Sequence, residues 1–212
     1  MQERLAYNFA NQTDHSIDIS LDWERWSFPI HVEVDLKATV MEDILRQMSG
    51  AIGFDPASLE TAAQWCVDND TNYAQALTWI TSATDPQLGG KNTFVALSAK
   101  SRIFRKMGKE NEASDMMNMA IENATAAELL GYARQLLNEK KLPQAMVLFQ
   151  MNYDKNKGAW PTNAGMMRSY SAMGDYKKAL TFAKAALAQV PDEQSKKIIE
   201  SAVKTLDEGK PL

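Results

Sequence analysis

The chain has 212 residues and a mass of 23.7 kDa, which fits one ordinary domain or a small module joined to a larger one. Hydrophobic residues make up 45% and charged residues 24%, and no apolar run approaches the roughly 18 residues that span a bilayer. A net charge of −4 argues against a general nucleic-acid binder. The single cysteine, Cys66, excludes an intrachain disulfide, and two histidines leave little for a metal centre, so no cofactor is expected.

The first 35 residues show the two-residue alternation of β-strands. Apolar side chains alternate with polar or small ones in three runs, over residues 5–9, 17–23 and 28–34. Residues 11–15 supply turn chemistry between the first two runs. This pattern predicts a three-stranded antiparallel meander over residues 1–35. Three strands are about the minimum that persists, so the meander either packs on the following helices or is the end of a larger β domain.

Three aromatic side chains stand out in this segment: Trp23, Trp26 and Phe28. We expect them to pack as core between the sheet and the helices, and a ligand site is the alternative. His15 falls in a turn and His31 on a strand, where solvated or hydrogen-bonded roles are expected rather than catalysis.

From residue 36 onward the apolar period becomes helical. The stripe Leu36, Val40, Ile44 and Met48 predicts a first helix that closes at Gly50. Asp55-Pro56 predicts the start of the next helix, and Thr125 to Glu128 forms a capping-box pattern. A final helix from Asp192 to Leu206, ended by Gly209, would cap the series.

Within residues 36–212 the helices repeat. Small residues suited to helix crossings recur at intervals of 37, 32 and 34 residues: Ala76, Ala113, Ala145 and Ala179. The segment from Trp160 to Pro191 resembles a complete tetratricopeptide repeat at Tyr170, Gly174, Tyr176, Ala179, Ala186 and Pro191, and departs from it at Asn163, Met166 and Met167. Segments starting at Ala57, Phe94 and Ala126 match less fully.

The resemblance implies a fold that is mainly α, a tetratricopeptide-like superhelix of about four helix pairs with a capping helix. In that family, the inner wall formed by the first helices binds extended peptides and in some members clamps a terminal carboxylate. The ninth residue of each unit belongs to that wall. Here it is Arg102, Arg134 and Arg168 in three successive units, although the chain has only seven arginines.

These arginines are candidate peptide-binding residues, with Arg105 beside them and Trp65 at the same position of the first unit. A planar guanidinium binds a carboxylate at two points, so an acidic or carboxylate-bearing segment is the expected ligand. The alternative is that the arginines are solvated or pair within the protein, with neighbours such as Asp115 or Glu128. Trp65 is a groove wall or a core residue, and Cys66 is expected to be a small buried hydrophobe.

A second resemblance covers residues 18–35, DISLDWERWSFPIHVEVD. This stretch is similar to the end of a β domain in an uncharacterised bacterial family, where it precedes a tetratricopeptide-like tail. Many such proteins are exported, which implies that strands and a signal peptide lie upstream of residue 1. Read without the resemblance, the absence of a basic and apolar leader predicts a cytoplasmic protein.

Taken together, the sequence predicts a non-enzymatic scaffold that binds a protein or peptide in a helical groove. The rival prediction places a ligand-binding or hydrolytic function in the β portion, with Trp23, Trp26, His31 and Glu33 as its residues. Self-association is a third expectation, because open solenoid ends and sheet edges both invite it.

Overall fold

The N-terminal part is a three-stranded antiparallel sheet. A computed structural model describes residues 2–156 and 158–212 of the chain, apart from the side chains of residues 2 and 3. The strands are β1 (Gln2–Ala10), β2 (Ser16–Glu24) and β3 (Trp26–Glu33), in the spatial order β1-β2-β3. The Val34 amide donates to the His15 carbonyl at 2.8 Å and so extends the β2–β3 pairing toward the first helix. The predicted meander is confirmed.

Helices account for most of the remaining chain. The described residues form ten α-helices: α1 (Leu36–Met48), α2 (Pro56–Asp68), α3 (Tyr73–Ala83), α4 (Phe94–Lys106), α5 (Glu110–Asn123), α6 (Ala126–Asn138), α7 (Leu142–Lys155), α8 (Trp160–Ala172), α9 (Tyr176–Leu187) and α10 (Glu193–Asp207). Short 3-10 turns occupy Ala51–Phe54 and Pro86–Leu88. The expected fold class, mainly helical with a small N-terminal antiparallel sheet, is confirmed.

The chain divides into two compact units. The first unit contains residues up to Lys91 together with Ala99–Ala113, and the second contains Asn92–Ser98 together with Ser114–Leu212. The first unit therefore holds the sheet and α1 to α3, and the second holds α6 to α10. The boundary expected at residue 35 separates strands from helices in the sequence and remains a prediction as a domain boundary.

Capping side chains fix where the helices begin, as the sequence indicates. The Asp55 carboxylate accepts a hydrogen bond from the Ser58 amide at 2.9 Å, and Pro56 occupies the first turn of α2. At α6 the Thr125 hydroxyl accepts from the Glu128 amide, while the Glu128 carboxylate accepts from the Thr125 amide at 2.8 Å. Each bond satisfies a backbone donor that has no partner within the helix.

The small residues predicted to lie at helix crossings are buried. The alanines that define the predicted repeat, Ala76, Ala113, Ala145 and Ala179, are all completely buried. In the first unit the buried Ser101 hydroxyl of α4 donates to the Ala113 carbonyl of α5 at 2.6 Å. Larger side chains at these positions would hold the helices apart, because protein interiors are close-packed.

In the second unit, α6 to α10 pack in succession around two clusters of buried hydrophobic residues. Helix α6 contacts α7 and α8, and α9 contacts α8 and α10. Gly165 of α8 lies against Phe149 of α7, where an added Cβ would come within 2.8 Å of the ring. Tyr170 stacks on Phe182 with 5.4 Å between ring centroids. The tetratricopeptide resemblance, expected over four units from Ala57 to Pro191, stays a prediction.

The sheet differs from the helices because one of its two faces is apolar and uncovered. This apolar face is formed by Tyr7 and Phe9 of β1, alternate residues 17–23 of β2 and alternate residues 26–32 of β3. The expectation that Trp23, Trp26 and Phe28 pack as core is wrong, because each of these side chains is more than half exposed. Alternation specified the strands and the face, but it carries no information on what covers that face.

Candidate functional site

The five residues predicted to bind a peptide are distributed over both compact units. Trp65 on α2 and Arg102 and Arg105 on α4 belong to the first unit, whereas Arg134 on α6 and Arg168 on α8 belong to the second. Their environments differ in whether the positive charge already has a partner, and this difference determines which of them can attract an anion.

In the first unit, the arginines are already paired with carboxylates. Arg102 donates from Nη2 to Oδ1 of Asp68 at 2.8 Å, and Arg105 Nε lies 3.7 Å from Oε2 of Glu110. Lys106 pairs in the same way with Asp70, which lowers the pKa of that carboxyl group. The sequence allowed for internal pairing, although it suggested Asp115 and Glu128 as partners rather than Asp68 and Glu110. The positive charges of these three side chains are therefore largely neutralised by carboxylates of the same unit.

In the second unit, the two arginines are brought together without an anion. Helices α6 and α8 contact one another, and Arg134 and Arg168 are the ninth residues of these two helices. Burial lowers the pKa of the Arg168 guanidinium, and the nearby positive charge of Arg134 lowers it further. Within residues 2–156 and 158–212, no ion pair joins either guanidinium to a carboxylate.

Arg168 is the more enclosed member of this pair. Its side chain is half-buried, and its Nη1 donates to the Ala164 carbonyl of its own helix at 3.3 Å. A guanidinium has five N–H donors, so most of its hydrogen-bonding capacity faces the solvent or a ligand. Two like charges held near one another, one of them partly removed from water, create a site that is stabilised by an added anion.

A cavity of about 340 Å³ lies directly beside Arg168. Its walls include Leu137 of α6, Ser171 of α8 and the chain's own segment 211–212. The Leu212 amide donates a hydrogen bond to the buried Ser171 hydroxyl at 3.0 Å. Ser171 lies three residues after Arg168, on the same face of α8, so the hydroxyl holds a main-chain N–H close to the guanidinium. Ser171 is not among the residues that the sequence pattern predicts for the site, although its spacing of three from Arg168 places it on the same helix face.

Trp65 lines a separate cavity in the first unit. This cavity has a volume of about 530 Å³ and lies between α1 and α2, with Val40, Ile44 and Met48 among its walls. Three members of the predicted α1 stripe therefore face a cavity rather than a filled core. Trp65 is half-buried there, which places an aromatic wall beside an apolar space.

The four residues of the rival β-portion site are not brought together. Cross-strand pairing places Trp23 beside Trp26 on the apolar face, whereas His31 and Glu33 lie on the opposite face. On that opposite face, Asp18 accepts hydrogen bonds from Asn11 at 2.7 Å and from His31. The hydrogen bond to Asp18 raises the pKa of His31, and these bonds lower the pKa of Asp18. The network ties β2 to β3.

The described residues contain one cysteine, which is buried, and no cluster of metal-ligating side chains. Cys66 is completely buried, as predicted, and burial raises the pKa of its thiol. In the part of the chain that the structure describes, no three histidine, cysteine or acidic side chains cluster as a metal site. None of the described helices combines the length and the apolar character needed to cross a lipid bilayer.

The chain matches no protein-family model and no curated protein.

Proposed function

We propose that this chain is a non-enzymatic scaffold that captures a protein or peptide segment carrying a carboxylate. Arg134 and Arg168 would hold the carboxylate, and the observation that carries the proposal is their proximity without an internal anion. Arg102 and Arg105 contribute less, because Asp68 and Glu110 already lie beside them.

A carboxylate fits the pair better than a neutral group does. The planar guanidinium donates two parallel hydrogen bonds to a carboxylate, which adds geometric selectivity to charge attraction. Because Arg168 is half-buried, its interaction with an anion is screened less by salt than that of a fully exposed charge. A charged hydrogen bond contributes about 1.5–3 kcal/mol, so one from each arginine gives roughly 3–6 kcal/mol, which corresponds to affinities from the millimolar range to tens of micromolar.

The surroundings of Arg168 favour a main chain as the ligand. Ser171 accepts a hydrogen bond from a backbone amide, and Leu137 and Ala172 offer an apolar wall beside it. Residues 211–212 make these contacts within the chain, and a ligand entering the cavity would displace them. An extended segment with an apolar side chain and a nearby acidic group would use the serine, the wall and the arginines together.

The resemblance to tetratricopeptide repeats supports the same function. In that family the ninth residue of each repeat lies on the ligand-binding wall, and Arg134 and Arg168 are the ninth residues of adjacent units. The only cysteine of the chain, Cys66, is poorly suited to nucleophilic catalysis, because burial raises the pKa of its thiol.

Fluorescence anisotropy with a labelled seven-residue peptide tests the proposal. The peptide is uncharged apart from two C-terminal aspartates, and a matched peptide carries two asparagines instead. We expect the wild-type chain to prefer the aspartate peptide, and Arg168→Gln to weaken its binding by about tenfold to a hundredfold. Arg102→Gln is the matched control, since that guanidinium is already paired with Asp68.

Circular dichroism establishes that both variants keep the helical content of the wild type. Equal affinity of the wild type for the two peptides, or equal loss of binding in Arg168→Gln and Arg102→Gln, would contradict the proposal.

A further inference from the structure

The apolar face of the sheet is an uncovered hydrophobic surface of the first unit. Its five aromatic side chains, Tyr7, Phe9, Trp23, Trp26 and Phe28, are each between 54% and 68% exposed. The rings of Trp26 and Phe28 lie nearly parallel, with 6.2 Å between their centroids. Single exposed aromatics are ordinary, but contiguous patches of this kind mark interaction sites.

The exposed area of this face matches one side of a stable protein interface. Aromatic side chains offer about 150–250 Å² each when buried, so five that are more than half exposed supply roughly 600 Å². Ile30 and Val32, which are 53% and 42% exposed, bring the face close to the ~800 Å² per partner of a standard interface.

The chemistry of the face excludes a charged partner surface. The charged residues of β2 and β3 that flank the face, including Asp18, Asp22, His31 and Glu33, all point to the opposite side of the sheet. There, Asp18 and Asp22 are engaged in hydrogen bonds with neighbouring polar side chains. A partner that covers the apolar face must therefore present an equally apolar surface, because a buried charge without a partner is costly.

On β2 and β3, the side chains of the face become smaller from one end of the strands to the other. Trp23 and Trp26 are paired at the end near the β2–β3 turn, and Ile17 and Val32 are paired at the other end. If an identical sheet is inverted along the strand direction, its tryptophan end covers the Ile17 and Val32 end of the first. Large side chains then oppose small ones at both ends, which gives two stacked sheets an even separation of about 10 Å.

We propose that the apolar face binds the same face of a second copy of this chain, forming a two-sheet sandwich. The two-fold axis lies between the sheets and runs perpendicular to the strands. A second copy is the occupant that the observations favour, because the face is apolar throughout, has the area of one dimer half and is complementary to its own inverted image. This interface involves none of the arginines of the proposed peptide site, so either proposal can fail alone.

Size-exclusion chromatography with light scattering on the full chain tests the proposal. At about 50 µM we expect a mass twice the 23.7 kDa of one chain, and Ile30→Lys should return the mass to that of a monomer. His31→Lys is the matched control: it introduces the same side chain at the next residue of β3, but on the opposite face. It should leave the dimer intact.

Binding of the dye 8-anilinonaphthalene-1-sulfonate separates the other outcomes. A wild-type monomer at this concentration, whose face binds the dye and loses it in Ile30→Lys, would overturn the second copy in favour of a different partner. A dimer that persists in Ile30→Lys would also overturn the proposal, because pairing through the exposed sheet edges does not require the face. Unchanged circular dichroism in both variants confirms that any loss of the dimer is not a loss of folding.

Discussion

The helix pairs bury small apolar side chains, whereas the N-terminal sheet leaves large apolar side chains exposed. Ala113, Ala145 and Ala179 are completely buried where helices cross, whereas Trp26 and Phe9 on the sheet are about two-thirds exposed. Close packing therefore limits the size of the side chains at these helix positions, and substitutions there should change the free energy of unfolding. Large side chains on the sheet are left for contact with another surface, so their substitution should change association instead.

The largest expected effect comes from placing a charge at a helix crossing. Ala179→Arg inserts a long cation into a completely buried position, which combines overpacking with burial of an unpaired charge. We expect a loss of at least about 3 kcal/mol of stability and a fall in Tm of roughly 6–12 °C. Lys177→Arg, an exposed position of the same helix, is the control and should leave Tm within about 1 °C. Equal melting of the two variants would contradict the assigned crossing.

A subtler test compares two glycines 34 residues apart, at the same position of α6 and α8. An added Cβ at Gly165 would come within 2.8 Å of Phe149 and 3.2 Å of Leu130, whereas a Cβ at Gly131 meets nothing within 4 Å. Gly165→Ala should therefore destabilise the chain by about 1–3 kcal/mol through overpacking. Gly131→Ala should stabilise it by up to about 1 kcal/mol, because alanine is the better helix former.

Urea denaturation measures both glycine variants under the same conditions. Opposite shifts of the midpoint with unchanged slopes are the expected result. Destabilisation by both substitutions would mean that α6 and α8 are equally crowded, contrary to their different neighbours.

The smallest expected effect is a pH dependence confined to the sheet. The Asp18 hydrogen bond raises the pKa of His31, so its stabilising contribution is complete below the ordinary pKa of about 6.5 and is lost as pH rises through the raised value. The pKa of Asp18 is lowered, chiefly by Asn11, so its contribution is present above about 3.9 and is lost as pH falls through the lowered value.

Amide hydrogen exchange of β2 and β3 follows this dependence. We expect protection to be highest between the ordinary pKa values of about 3.9 for Asp and 6.5 for His, and to weaken as pH rises through the raised pKa of His31. His31→Gln should remove the weakening on the alkaline side, and protection that changes equally in the variant would assign the effect to other groups.

The sequence specified local structure well, because local signals determine it. Alternation predicted the three strands, and Asp55 and Thr125 predicted two helix starts through hydrogen bonds to nearby amides. The environment of each arginine could not be predicted in the same way. Arg102 pairs with Asp68, which lies 34 residues away and was absent from the expected partners. Such pairing depends on helix packing rather than on neighbouring residues.

The incorrect core prediction for the sheet has the same physical origin. Trp23, Trp26 and Phe28 share an apolar face, which the strand period shows, but whether another element covers that face is a tertiary property. Burial of an apolar face is the usual outcome, and here the face stays exposed. The cavity beside Arg168 could not be predicted from the sequence either, because segment 211–212, which forms part of its wall, contacts Ser171 from 41 residues away in the chain.

A double-mutant cycle between Arg168 and the peptide carboxylates is the most direct test of the binding function. Affinities are measured for the wild type and Arg168→Gln, each with the aspartate peptide and the asparagine peptide. A coupling energy of about 1–3 kcal/mol is expected if the guanidinium contacts a carboxylate. A coupling energy indistinguishable from zero, with wild-type helical content in the variant, would contradict carboxylate capture by this arginine pair.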